Sequence, residues 1–365
     1  MKKPRKPASN PFAARLGAVV RMAAAKKLDA VIVFTQTNRR ALTGVDCDNG
    51  ALVIEPGRRT VFHTDFRYTT MAERVAPWLA VKTMWKPAAE AKTLARLGAK
   101  WKRIGFEGAI SASRYLRLKE AFPRAKLVDI YPDLLAERAV KTAAEIEKIR
   151  AAEALTCRIW EETRASVAPG MTEKEIQRRV RALMNSLGDG EAFETIVCAG
   201  ANAAECHHVP DSTVWKKGEP LLVDLGVKLD GACSDMTRNI VPAKPSRLYA
   251  RIYSTVLEAN EAAIAAVRPG AVCRDIDAVA RGIIEKAGYG PQFGHSLGHG
   301  VGFEIHESPN FSANCATILK PGMLVTVEPG IYLPGKLGVR IEDLVLVTES
   351  GCEVLSSASP KSPAP

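Results

Sequence analysis

Leu221-Leu-Val-Asp-Leu-Gly-Val-Lys-Leu-Asp-Gly-Ala-Cys-Ser-Asp-Met-Thr237 carries two aspartates, Asp224 and Asp235, on either side of an Asp230-Gly231 turn. Asp-Gly between two apolar runs signals a hairpin, because glycine tolerates the positive φ that tight turns need. A two-residue loop at 229–230 sets Asp224 directly opposite Asp235. A loop at 230–231 makes them diagonal neighbours on one face, since strand side chains alternate with period two. Either register aims two carboxylates at one point, where like charges repel unless a cation lies between them. The stretch reads as half of a metal site.

The other half lies downstream. Gly294-His-Ser-Leu-Gly-His-Gly-Val-Gly-Phe-Glu-Ile-His-Glu307 supplies His295, His299 and His306. Glu328 and Glu342 each follow a Val/Ile-rich run of strand character, and the Pro-Gly-Lys-Leu-Gly loop at 334–338 between them suits a second hairpin. Of the chain's six histidines, five fall between 207 and 306, so the imidazoles are concentrated where the acids are. Any one of these residues alone fits a solvent-facing acid or a satisfied core histidine. In this order, bordered by apolar residues, they point to a buried cation site.

These residues also carry a family resemblance. Val223-Asp-Leu-Gly226, Ser234-Asp-Met-Thr-Arg238, Gly298-His-Gly-Val-Gly302, Val327-Glu-Pro-Gly-Ile-Tyr332 and Val339-Arg-Ile-Glu-Asp343 resemble the five-ligand dinuclear site of the pita-bread metallopeptidases. That family includes aminopeptidase P, prolidase and methionine aminopeptidase, with creatinase as a metal-free relative. The resemblance covers about residues 140–355 and, more weakly, the N-terminal part, where Thr64-Asp-Phe-Arg-Tyr68 is similar to a stretch of the creatinase-type N-terminal domain. It implies Asp224, Asp235, His299, Glu328 and Glu342 as ligands of two divalent ions, with Asp235 and Glu342 bridging. The oxygen-rich, thiolate-free set suits Mn²⁺ foremost, with Co²⁺, Fe²⁺ or Zn²⁺ open.

The resemblance further implies hydrolysis of the N-terminal Xaa-Pro peptide bond by a water bridging the ions. Glu328 would shuttle the proton, and His207 and His306 would act on substrate and transition state. His295 would stand in the outer pocket wall, and Arg340 and Tyr332 would orient the ligands from behind. His208 is set aside, because on an extended chain it points away from its neighbour His207. An Xaa-Pro dipeptidase is the alternative activity, and a non-catalytic binding module on the same fold is the alternative of another class. Glu205-Cys206 departs from the Leu-Pro pair usual ahead of the substrate histidine, on one side of the pocket.

Bulk composition agrees with a folded enzyme. At 365 residues the chain has length for two domains, and 47% hydrophobic with 25% charged residues is ordinary for a globular protein. The net charge of +11 draws four units from Lys2, Lys3, Arg5 and Lys6, and aromatics are 6%, so no nucleic-acid partner is expected. Eight cysteines without a Cys-x-x-Cys pair suggest free thiols in a reducing, cytoplasmic setting. No apolar run long enough for a signal peptide core or a membrane span occurs. The resemblance and the common two-fold preference of soluble enzymes imply a homodimer.

Along the chain, residues 1–12 read as a disordered basic tail and 356–365 as a disordered Pro/Ser/Lys tail. Residues 13–138 read as an α/β creatinase-like domain, with a helix near 13–27 and strands at 30–34, 50–55, 59–64, 103–106 and 126–130. Thr142-Ala-Ala-Glu145 is a capping box that opens the α+β pita-bread domain, 139–355. Within it Ser166–Ile176 aligns without gaps, at an offset of 100, with Ala266–Ile276, and both copies run through a helix to Gly188 and Gly288. Two related halves are expected, each of helices followed by strands, with ligands drawn from both.

Overall fold

The structure, a computed structural model, describes residues 10, 12–83 and 90–361. Of the expected basic tail only Asn10 and Phe12 fall among them. The chain divides into two compact units, Met1–Glu137 and Arg138–Pro365.

The first unit is an α/β layer. Helix α1 (Ala13–Ala25) leads into β1 (Ala30–Val33), followed by α2 (Gln36–Thr43), β2 (Ala51–Ile54), β3 (Val61–Thr64), α3 (Phe66–Val75), β4 (Ala80–Thr83), α4 (Glu90–Leu97), β5 (Arg103–Phe106), α5 (Ala112–Ala121), β6 (Lys126–Asp129) and α6 (Tyr131–Ala139). The strands form one mixed sheet in the order β4-β3-β2-β1-β5-β6. Its centre is a continuous apolar run, Ala30–Phe34, buried on both faces as a central strand requires. At Thr64–Tyr68 the chain leaves β3, and Asp65 caps α3 by accepting from the Arg67 amide at 2.9 Å.

In the second unit the Thr142 capping box opens α7 (Ala143–Ser166), which α8 (Glu173–Leu187) follows. After these come β7 (Ile196–Ala199), β8 (Leu221–Leu225), β9 (Lys228–Leu229), β10 (Ala232–Cys233) and β11 (Met236–Ile240). The pattern then repeats: α9 (Arg247–Ala266) and α10 (Cys273–Lys286) precede β12 (Gly298–Gly300), β13 (Glu307–Phe311), β14 (Leu324–Val327), β15 (Gly330–Leu333), β16 (Leu337–Arg340), β17 (Asp343–Val347) and β18 (Cys352–Val354). Thr172 bridges Val214 in one half, and Val272 bridges Ile318 in the other. Gly170 (φ 105°) donates to the Trp215 carbonyl as Gly270 (φ 84°) donates to that of Leu319.

Each helix pair backs the strands of its own half. Leu221, Val223 and Leu225 pack with Trp160, Ile176 and Val180 of the first pair, while Val325 and Val327 pack with Ile252, Val256 and Ile276 of the second. Alternation along the strand then sends Asp224, Thr326 and Glu328 to the opposite, inward face. Burial of each such aliphatic side chain contributes roughly 1.5–3 kcal/mol, which fixes the register and with it the acids.

The expected C-terminal tail is corrected at 356–361. The Ser356 and Ser359 carbonyls accept from Arg238 Nη2 and Nε at 3.3 and 3.0 Å, and Lys361 Nζ donates to Asn260 Oδ1 at 2.9 Å. Small polar residues that cap a buried arginine have the composition of a tail, which is why composition misleads here. Among the described residues no helix is long and apolar enough to cross a membrane.

Candidate metal centre

The first hairpin takes the register of the 230–231 loop. Leu229 pairs Ala232 and Asp224 pairs Thr237, so Asp224 and Asp235 are diagonal neighbours on one face. Asp230 and Gly231 both have positive φ, 48° and 69°, as a type I′ turn demands. The ladder parts between β8 and β9, where a Cβ on Gly226 would lie 2.1 Å from the Ser234 carbonyl oxygen. In that gap the Asp235 amide donates to Glu153 Oε2 at 3.2 Å, which anchors the ligand strand to α7.

The second hairpin parts in a similar way. Val327 pairs Asp343 and Gly330 pairs Arg340, one register carried across a break, so Glu328 and Glu342 stand across from each other where the ladder opens. Asn260 Nδ2 donates to the freed carbonyls of Val327 and Ile341 at 2.8 and 3.3 Å. The Glu342 amide donates to the Thr237 carbonyl at 3.3 Å, which joins the two hairpins edge to edge. His299, on β12, donates from its backbone amide to Thr326 Oγ1 at 2.9 Å.

These elements bring all five nominated ligands into one cavity of about 540 Å³. Ligand atoms of Asp235, His299 and Glu342 lie within 4.8 Å of one another. His299 Nε2 is 3.5 Å from Asp235 Oδ2 and 3.4 Å from Glu328 Oε1. A carbonyl only accepts, so the contact of His299 Nδ1 with the Gly300 oxygen (3.1 Å) places the ring hydrogen on Nδ1. Burial, above all, lowers the pKa of this histidine to about 4, so the ring is neutral. Its Nε2 lone pair therefore faces two carboxyl groups, which it can meet only through a proton they hold or through a bound cation.

The acids give the same sign. Burial first, then the charges of Glu342, Asp224 and Glu328, raises the pKa of Asp235 well above the carboxylate range. Glu342 is raised by burial and by Glu328 and Asp224, and Glu328 is pushed up to about 8 by burial, against the opposing pull of Arg340. Asp224 Oδ1 is buried with no hydrogen-bond partner. Four carboxyl groups face one guanidinium, so the cluster is satisfied only by holding protons or binding cations, and the orphaned oxygen marks where a ligand is wanted. The donor set fits hard divalent cations.

The nominated substrate residues line the same cavity. His207, His295 and His306 face it, and His306 lies edge-on to His299 with ring centres 4.3 Å apart. Arg340 also lines it: Nη2 donates to Asp224 Oδ2 at 2.6 Å, Nε to Thr237 Oγ1 at 3.0 Å and Nη1 to Tyr332 Oη at 3.0 Å. Tyr332 stands behind the lining and donates to His295 Nε2 at 2.9 Å, since His295 Nδ1 donates to the Ser296 carbonyl.

Several residues that organise the site escaped the sequence reading. Thr237 donates to Glu342 Oε2 at 2.7 Å, and Thr326 donates to Glu328 Oε1 at 3.1 Å. Each sits two positions from an acidic ligand on the same strand, the same spacing that singled out Arg340, so period two was the available signal. His208 also lines the cavity, although its ring is buried.

Comparison with known proteins agrees with this architecture. The family model described as "Metallopeptidase family M24" matches residues 147–349, and that described as "Creatinase/Prolidase N-terminal domain" matches 15–140. An Xaa-Pro dipeptidase of Pyrococcus furiosus is 40% identical over 257 residues, 69% of this chain and 73% of its own. A solved Xaa-Pro dipeptidase from Bacillus anthracis superposes with a TM-score of 0.90 at 32% identity, covering 96% of this chain and 99% of that one. A solved X-Pro aminopeptidase from Thermotoga maritima gives 0.84 at 33% identity, covering 94% and 99%.

Proposed function

The chain belongs to metallopeptidase family M24, and we propose that it cleaves the first peptide bond of peptides that carry proline in the second position. The observation that carries this reading is the convergence of Asp224, Asp235, His299, Glu328 and Glu342 beneath a wall of three histidines in one cavity. Family membership together with the carboxylate and imidazole set present here implies divalent metal ions as the cofactor. We further assign those five residues to two ions, most simply Mn²⁺. Two bound ions would polarise the scissile carbonyl and make water acidic enough to attack it at neutral pH.

The chain's own residues supply the rest. Glu328, as the carboxylate, accepts a proton from the attacking water and carries it toward the leaving nitrogen. That step suits proline, because the Xaa-Pro nitrogen has no hydrogen and must be protonated to leave. His306, neutral because burial lowers its pKa, is free to donate a hydrogen bond to the oxyanion. His207 and His295 form the surface against which the pyrrolidine rests. Asp224 is held by Arg340, which Tyr332 ties to His295, so ligand and wall move as one unit.

The length of peptide accepted follows from the same arginine. Arg340 is the only guanidinium or ammonium among the described residues that line the cavity, and it is bonded to Asp224, Thr237 and Tyr332. A dipeptide would bring its carboxylate into this cavity, whereas a longer peptide carries that charge outside. This favours an Xaa-Pro aminopeptidase. The dipeptidase reading draws on the Pyrococcus and Bacillus relatives, whose printed activity is that one. Rates on Ala-Pro-Ala, Ala-Ala-Ala and Ala-Pro with Mn²⁺ decide between them. A proline preference above about tenfold in kcat/KM, or about 1.4 kcal/mol, is expected. Equal rates on the two tripeptides would sink the proline assignment, and activity on Ala-Pro alone would make the protein a dipeptidase.

A further inference from the structure

The segment 199–211 leaves β7, makes a 3-10 turn at Gly200–Ala204 and presents Cys206–Val209 to the cavity. Its extended part pairs with no strand among the described residues, yet it is closely held. Glu173, the first residue of α8, is fully buried and gathers the whole excursion onto one carboxylate. Oε1 accepts from the Ala199 amide at 2.7 Å and from Asn202 Nδ2 at 3.0 Å. Oε2 accepts from the Asp211 amide at 3.1 Å and from His208 Nε2 at 2.7 Å. The first residue, the last residue and two between them thus share one anchor, placed at a helix N-terminus that itself favours negative charge.

His208 is the middle tie. Its Nδ1 lies 3.3 Å from Glu205 Oε2, so both ring nitrogens face carboxylates, which only accept. Against the opposing effect of burial, both contacts favour the charged ring and raise its pKa. Ligand atoms of Glu173, His208 and Asp211 lie within 4.8 Å of one another, as a metal triad would. The hydrogens decide against an ion: both Glu173 oxygens already accept two donors each, and Nε2 presents a hydrogen to Glu173. His299, with a lone pair aimed at acids, is the opposite case.

On the other side of His207, the Cys206 carbonyl accepts from Arg340 Nη1 at 3.4 Å, and Arg340 holds Asp224. His207 itself is exposed in the cavity, between an anchor on the metal side and an anchor on α8. We propose that Glu173 and His208 are positioning residues for His207, which prepay the ordering of the 199–211 loop and so set affinity for the peptide without touching the metal ligands. The proposal rests on the assignment of His207 to substrate binding. An unanchored loop would have to be ordered by the substrate, which weakens binding more than turnover.

The test uses the full chain loaded with metal and compares His208→Ala, His208→Gln and Glu173→Gln. His208→Ala should keep its metal by elemental analysis and raise KM for Ala-Pro-Ala about tenfold while kcat falls less than about threefold. His208→Gln, which retains one donor for Glu173, should recover to within about threefold of the wild-type KM, and Glu173→Gln should fall between the two. An unchanged KM in His208→Ala, a loss of metal there, or a glutamine variant no better than alanine would overturn the proposal. With only six histidines, the imidazole carbon-bound proton resonances of ¹³C-labelled, Zn²⁺-loaded protein give a reading that needs no turnover. His208→Ala should shift or broaden the His207 signal and leave His299 in place. Should the wild type cleave no Xaa-Pro bond, the functional reading fails, and the His207 resonance alone decides the anchor: an unmoved signal overturns it.

Discussion

The two halves of the catalytic unit share a backbone and differ in what they hang on it. At the start of α8 the Glu173 amide donates to the Thr213 carbonyl at 3.0 Å and that of Lys174 to Asp211 at 3.1 Å. At the start of α10 the Cys273 amide donates to Thr317 at 2.9 Å and that of Arg274 to Cys315 at 3.0 Å. The geometry is repeated, but the side chains are not. Glu173 reaches four donors in the loop that carries His207, whereas the Cys273 thiol meets the Cys315 thiol. The hairpins differ likewise: the first sets its acids diagonally beside a tight turn, and the second sets them face to face at a break. A duplicated frame therefore brings acids to one cavity from two sides, and the side chains it carries decide what each half adds to it.

The comparison breaks first at the ions. If both halves serve one centre, loss of a ligand from either half should disable both. Asp235→Ala and Glu342→Ala are each expected to lose most bound metal and at least about a thousandfold in kcat/KM. Elemental analysis after exhaustive dialysis, alongside the rate, checks this. A variant from one half that kept its metal would confine the site to the other.

Next come the histidines. His207→Ala from the first half and His306→Ala from the second should keep metal and lose about a hundredfold or more in kcat/KM. Metal loss in either variant, with normal kinetics after reloading, would move that residue into the ligand set.

The frame itself can be tested at the paired helix starts. Glu173→Ala leaves the His208 ring, the Asn202 side-chain amide and two backbone amides without their acceptor, a cost of about 3–5 kcal/mol. Cys273→Ala removes a small buried group and should cost about 1–2 kcal/mol. Urea midpoints of the metal-loaded variants give the difference. Equal losses would mean that the two positions do the same structural job.

How much of this was legible in the chain follows the same division. The hairpins and the helix repeat could be read because period two, Asp-Gly and Pro-Gly turn chemistry are local signals. Among the described residues of the first unit, α2, β4, α4 and α6 were not foreseen: β4 is half exposed and α2 is mostly polar, so neither carries an apolar run. Glu173 was passed over for another reason. In sequence it is one more acid in the first turn of a helix, and its partners at 199, 202, 208 and 211 are assembled only by folding. His208 was set aside because alternation turns it from the cavity floor, and that turn is what brings its ring to Glu173. The packed Ser356–Lys361 segment is the same lesson at the C-terminal side, since Arg238 and Asn260 lie far off in the chain.

The smallest expected effect concerns protons and metal at the shared centre. Asp235, Glu328 and Glu342 all have folded-state pKa values raised by burial and mutual repulsion, that of Glu328 to about 8. A raised pKa means that the folded state binds more protons than the unfolded chain between the two values. That contribution to stability is therefore fully present below the ordinary carboxylate range, near pH 4.5, and is lost as pH rises through about 8. Chelated protein should melt lower at pH 8.5 than at pH 6, by on the order of 5 °C. Bound divalent ions replace those protons, so metal-loaded protein should lose this dependence, and metal affinity should tighten over the same window. Scanning calorimetry at the two pH values, with and without Mn²⁺, makes the measurement. A chelated protein that became more stable toward pH 8.5 would show that the acids are not held together as a protonated cluster. An equal pH slope with and without metal would place the responsible groups elsewhere, His208 first among them, since its bonds to Glu173 and Glu205 overcome the opposing effect of burial and raise its pKa too.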